Sequence, residues 1–147
     1  MKPPFPVLPV GKLKRATRIL CGLLYVAAGV NHFVNTAFYV DIMPPYLPWH
    51  LELVYASGIA EIGLGALLCT DRWAVPAAWG VIALLFAVFP ANVHMALHPE
   101  QYPWATPEGL LLRLPLQALL VVWVWWYTRP DPPGKERPDE QGVLPPR

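Results

Sequence analysis

Four runs of about twenty mostly apolar residues dominate this chain, and that is the length an α-helix needs to cross a hydrocarbon layer about 30 Å thick. They cover about 17–40, 51–69, 73–97 and 109–127. Helices that are apolar all round leave no polar face for water, which argues against a soluble bundle. Composition agrees. Hydrophobic residues make up 55% of the 147 residues and charged residues 14%, against about 25% charged in an ordinary soluble domain. The expected fold is all-α, an integral membrane four-helix bundle. The basic start followed by an apolar run invites a signal-peptide reading. The run is too long for a signal core, however, and no small-x-small site closes it, so the first span reads as retained. Segments 1–16 and 130–147 are rich in proline and charge and read as flexible tails around one membrane domain at 17–129.

Lys and Arg give an orientation. Lys2, Lys12, Lys14, Arg15 and Arg18 lie at the first span's start, Arg72 in the turn between spans two and three, and Arg129, Lys135, Arg137 and Arg147 after the fourth. A four-span chain puts all ten on one side, and Arg113 alone lies at the other end. The positive-inside rule therefore predicts that both termini are cytoplasmic, N-in and C-in. Aromatic residues form two belts, with Trp73 and Trp123 to Tyr127 at one level and Tyr46, Trp49, Tyr102 and Trp104 at the other. A net charge of +1 gives no reason to expect a nucleic-acid partner. Two cysteines, Cys21 and Cys69, exclude a disulfide-rich scaffold, and without a CxxC they read as small core residues.

Polar side chains inside such spans are the informative exceptions, because a charge at the centre costs about 2.5–3.5 kcal/mol on insertion scales. Helix-rise arithmetic puts Asn31, His32, Glu61, Asn92, Arg113 and Gln117 in the half opposite the termini. These six are the candidate ligand-binding residues. Pro90 and Pro115 interrupt spans three and four and disturb the carbonyls of Phe86 and Leu111, for which Asn92 and Gln117 are nearby donors. Ser57, Glu61 and Gly65, with Gly58 beside them, share a helix face, as do Tyr25, Gly29 and His32, so Glu61 is expected to face the bundle. The competing reading is structural. Glu61 would pair with Arg113, and the amides would be interhelical hydrogen bonds worth about 0.6 kcal/mol each. His94 and His98, four residues apart, are weak metal candidates. His32 and His94 as axial haem ligands lack an accompanying CxxCH, so haem and metal fit poorly.

Several segments resemble the DoxX-like (DoxX/DoxD/MauE group) membrane protein family. They are Asn31-His32-Phe33, Met43-Pro44-Pro45, Ser57-Gly58 with Glu61, Phe89-Pro90-Ala91-Asn92, and Leu112-Arg113-Leu114-Pro115-Leu116-Gln117, within residues 17–129. The resemblance implies a small multi-pass protein of a bacterial-type inner (plasma) membrane. Members of the wider group are similar to subunits of thiosulfate:quinone oxidoreductase, to methylamine-utilisation membrane proteins or to redox-stress assemblies, and some relatives assist receptor assembly. It implies no catalytic motif for this chain, so whether the chain is an enzyme stays open. Two readings follow. One is a redox- or quinone-linked membrane subunit with a polar site, partnered by a membrane or redox protein. The other is a non-catalytic assembly or partner-binding protein in which the polar layer is structural. A homo-oligomer is compatible with either.

Overall fold

A computed structural model of the protein describes residues 11–130. Among them the chain is all-helical. The helices are α1 (Lys12–Val34), the short α2 (Thr36–Asp41), α3 (His50–Leu68), α4 (Ala74–Leu97) and α5 (Pro107–Trp126), with a 3₁₀ turn at Pro99–Gln101 before α5. α1, α3, α4 and α5 are long and apolar enough to cross a membrane. At 1.5 Å per residue their lengths are about 28–36 Å. Sequence positions 1–10 and 131–147, most of the two expected tails, lie outside the described residues.

The first span differs from expectation at both ends. Residues 12–16, read as part of a tail, are helical. The helix then ends at Val34, and Asn35 breaks it with φ −119° and ψ 44°. The cause is local. The Asn35 side chain donates to Asn31 Oδ1, and the Thr36 hydroxyl donates to the carbonyls of His32, 2.8 Å, and Phe33, 3.2 Å. Short polar side chains that bond neighbouring backbone in this way compete with the helix ladder. The 35–40 stretch therefore turns into α2 instead of extending α1.

α1 and α3 run antiparallel with their backbones touching. Gly22 faces Gly65, and Gly29 faces Gly58. A Cβ on Gly22 would lie 2.5 Å from the Gly65 carbonyl oxygen, and one on Gly29 would lie 2.6 Å from the Gly58 carbonyl oxygen. Each helix thus places two glycines seven residues apart on one seam, and a seven-residue repeat keeps a seam facing its partner. Gly63, off the seam, would meet nothing.

The rest of the bundle has two apolar clusters. One, in the half that carries the termini, joins all four long helices through Cys21, Leu68, Ala78, Val81 and Val124. The other, smaller, sits at the far end around Met95, Tyr102 and Leu110. The end with the termini is tied by charge. Arg18, only 4% exposed, donates to the Thr70 carbonyl, 2.9 Å, and to Asp71. Arg15 also bonds Asp71, 2.8 Å, and the Lys14 ammonium donates to the Arg129 carbonyl. Sequence reading used these cations only to set the orientation. The structure instead makes Lys14 and Arg18 buried clasps between α1, the α3–α4 turn and the end of α5.

Gly65→Ala should therefore lower stability by about 1–3 kcal/mol, as overpacking does. Gly63→Ala should be neutral or raise it by up to about 1 kcal/mol, because an open helical glycine gains from a methyl group. Thermal unfolding of both variants in detergent checks the contrast.

Candidate functional site

The α1–α3 seam sets the site. In this antiparallel pair His32 and Glu61 lie one turn to either side of the Gly29–Gly58 contact, and side chains that lean toward their own helix N-terminus converge back over it. The glycine contact leaves these two side chains against each other, with His32 Nδ1 3.4 Å from Glu61 Oε2. Both are withdrawn from solvent, their side chains 9% and 14% exposed. His32 Nδ1 also lies 2.9 Å from the Ala28 carbonyl. A carbonyl can only accept, so this nitrogen carries the hydrogen. The break at Asn35 supplies the third wall. It folds α2 back so that Tyr39 stacks on the His32 ring, centroids 3.7 Å apart and planes 21° off parallel. The Tyr39 hydroxyl accepts from Asn31 Nδ2, 3.0 Å.

These groups line a cavity of about 200 Å³ between α1, α2, α3 and α4, with Ser57, Asn92, Met43 and Met95 completing its wall. It lies between the two apolar clusters. Its far wall is held by a hydrogen-bonded relay. Asn92 Nδ2 donates to Gln117 Oε1, 2.8 Å, and Gln117 Nε2 donates to the Leu85 carbonyl. Gln117 is buried. The sequence placed the disturbed carbonyl at Phe86. Gln117 serves the one before it, and across the helix pair instead of within its own span, while Asn92 bonds the Gln117 side chain and not a carbonyl.

Of the six candidates, His32, Glu61 and Asn92 meet at the cavity. Asn31 reaches it through Tyr39, and Gln117 through Asn92. Arg113 does not join them. Its guanidinium donates to the Met95 sulfur, 3.6 Å, beside the far apolar cluster. Glu61 lies instead against His32, 3.4 Å away, a contact that becomes an ion pair only when the ring is protonated, so the Glu61–Arg113 pair of the structural reading is not formed. His94 and His98 stack, centroids 4.4 Å apart and 24° off parallel, and His98 Nδ1 lies 3.2 Å from the His94 carbonyl. Two rings stacked in this way do not converge on a shared ion. Among the described residues no group of three or more His, Cys, Asp and Glu is placed to hold a metal.

Tyr39 was missed from sequence. Its signal was Asn35-Thr36, a pair that stops one helix and starts the next. Read as a stop, it would have turned residue 39 back toward residue 32.

The polar groups divide in two. The Asn92–Gln117–Leu85 relay is satisfied. Glu61 Oε2 is buried with no hydrogen-bond partner. The two halves should respond differently to substitution. Gln117→Leu leaves the Asn92 amide unpaired and should destabilise by about 1–3 kcal/mol. Glu61→Gln loses no hydrogen bond at Oε2 and keeps an amide oxygen that can face His32 Nδ1, so it should change stability by less than about 1 kcal/mol. Unfolding midpoints of the two variants side by side measure this.

A family model described as a domain of unknown function, DUF8561, matches residues 20–128, a range that contains every candidate residue. The chain belongs to that family. No curated protein and no solved structure matches it.

Proposed function

We propose that this DUF8561 chain is a multi-pass protein of a bacterial-type inner (plasma) membrane, N-in and C-in, and a redox- or quinone-linked subunit that holds an apolar ligand's head in the cavity at His32 and Glu61. The observation that carries the ligand reading is the orphaned Glu61 Oε2. A buried carboxylate oxygen that accepts no hydrogen bond costs free energy, and a purely structural layer has little reason to retain one beside an open cavity. A quinone head fits the residues present, since quinones and quinols exchange hydrogen bonds and protons at ring oxygens. In this reading Glu61 and His32 take up and release protons at Oε2 and Nε2, Asn92 orients a ring oxygen, and electrons pass to or from a membrane-bound redox partner.

Membrane residence is supported by the outward face of the bundle. Phe86, Leu111, Leu119 and Val122, on α4 and α5, are all at least 60% exposed, and an apolar surface of this kind suits lipid. Orientation is supported by the gathering of Lys14, Arg15, Arg18 and Arg129 at one end. The resemblance to the DoxX-like group is offered on the segments around residues 31–33, 43–45, 57–61, 89–92 and 112–117. The second reading, a non-catalytic assembly protein, is favoured by one observation, the Asn92–Gln117–Leu85 relay that ties α4 to α5.

Native mass spectrometry of the protein released from its own membranes separates the two. The ligand reading expects a retained amphiphile mass that falls in Glu61→Gln while the protein stays folded. A clean apo mass bound to a stoichiometric partner protein would overturn it in favour of assembly. For orientation, a single cysteine in place of Tyr46, in a Cys21→Ser, Cys69→Ser background, should react with an impermeant maleimide on intact cells. One in place of Lys12 should react only after permeabilisation, and the reverse pattern would invert the topology.

A further inference from the structure

The polar cavity has a neighbour. A second cavity, of about 300 Å³, shares Met43, Ser57, Val88 and Ala91 with it. Its remaining wall is apolar, formed by Leu47, Leu53, Ala56, Ala60, Leu84 and Ala87. Alanines facing each other along the α3–α4 seam keep side chains short there and leave a slot. Leu53, Ala56 and Ala87 are exposed on the bundle's flank, so the slot opens sideways between the two helices. The polar cavity alone is smaller than the ~300–1,000 Å³ typical of ligand pockets, and the apolar slot brings the pair into that range.

Hydrogen-bond inventory then fixes what the polar end can take. Ser57 gives its hydroxyl hydrogen to the Val54 carbonyl, 2.9 Å. His32 directs its Nδ1 hydrogen at the Ala28 carbonyl, which leaves Nε2 of the neutral ring an acceptor. Asn92 gives one amide hydrogen to Gln117, with its own carbonyl oxygen left to accept. Glu61 Oε2 has no hydrogen bond. The lining thus commits its donors to the protein and turns acceptors to the cavity. Two donors remain, the Tyr39 hydroxyl hydrogen and the second Asn92 amide hydrogen. A head that only accepts would satisfy those two and leave Glu61 Oε2 unpartnered.

We propose that the two cavities form one site for a single-tailed amphiphile. It enters sideways between α3 and α4, seats its tail in the alanine slot and presents a hydroxyl-bearing head that donates hydrogen bonds to Glu61 and Ser57. This rests on the ligand reading above and adds a direction to it. Of a quinol and the corresponding quinone, the quinol binds more tightly, because the quinone oxygens accept only and leave Glu61 Oε2 without a donor.

The test uses the full-length protein in nanodiscs and three probes with one tail, a decyl-hydroquinone kept anaerobic, its quinone and its dimethyl ether. Occupancy is read by native mass spectrometry at matched bilayer concentration. The hydroquinone should reach half-occupancy at about one-tenth the concentration of the other two or less, since one unpartnered buried acceptor is at stake. That advantage should shrink in Glu61→Gln and in Ser57→Ala. Ala60→Leu combined with Ala87→Leu fills the slot without touching a polar group and should weaken all three probes alike. It keeps the test meaningful where either polar variant fails to fold. Equal or tighter binding of the quinone or the dimethyl ether overturns the donor preference and leaves the ligand site standing. No binding of any probe above that to empty nanodiscs overturns both.

Discussion

The contact on which the rest of this structure depends is the meeting of two backbones, α1 at Gly22 and Gly29 with α3 at Gly65 and Gly58. Between helices in an apolar surround, hydrophobic burial gives little preference for one pairing over another, and close packing of small residues supplies it. A methyl group at any of the four positions would require a backbone to move, so the pair has one register. That register brings His32 within ion-pair distance of Glu61 and fixes the corner against which α2 folds. The cavity follows from a contact that itself contains no chemistry.

The polar layer reads as two systems sharing a wall. On the α4–α5 side, Gln117 answers both Asn92 and the Leu85 carbonyl, and removing it would leave both without that partner. On the α1–α3 side, the Glu61 carboxylate oxygen is buried but unbonded. Buried polar groups are satisfied in the great majority of native structures, and an exception beside a cavity calls for an explanation. The proposed ligand is one, and on that proposal what looked like a single cluster divides into a scaffold half and a binding half.

Much of this was legible in the sequence. The four apolar runs located the four long helices to within a few residues, except the first, which starts at Lys12 and which Asn35 ends early. Run length carries that information, whereas the break depends on which carbonyl a short amide side chain reaches. The cluster of His32, Glu61 and Asn92 was legible because polar residues at similar depth in apolar spans have few places to go. Its wiring was not. Opposite charge made Arg113 the natural partner for Glu61, but helix adjacency decided otherwise. α3 packs on α1 through glycines, and the Arg113 guanidinium instead reaches Met95 on the neighbouring α4. Gly29, Gly58 and Gly65 were noticed as small residues on useful faces. Gly22, their fourth member, was not, because its role appears only when both helices are set side by side. Arg18 and Lys14 entered the sequence reading only through the orientation rule and are buried in the clasp at the termini.

The most direct measurement of the central claim is a dipolar distance in bilayers by solid-state NMR, between ¹⁵N-labelled histidine and δ-¹³C-labelled glutamate. If the glycine seam holds α1 against α3, one strong coupling should appear from His32 Nδ1 to the Glu61 carboxyl carbon, consistent with the 3.4 Å nitrogen–oxygen contact. It should vanish in Glu61→Gln, and substituting Arg113 should leave it unchanged. Absence of that coupling in a folded, helical sample would contradict the account, because it would mean that α1 and α3 do not meet where the cavity requires.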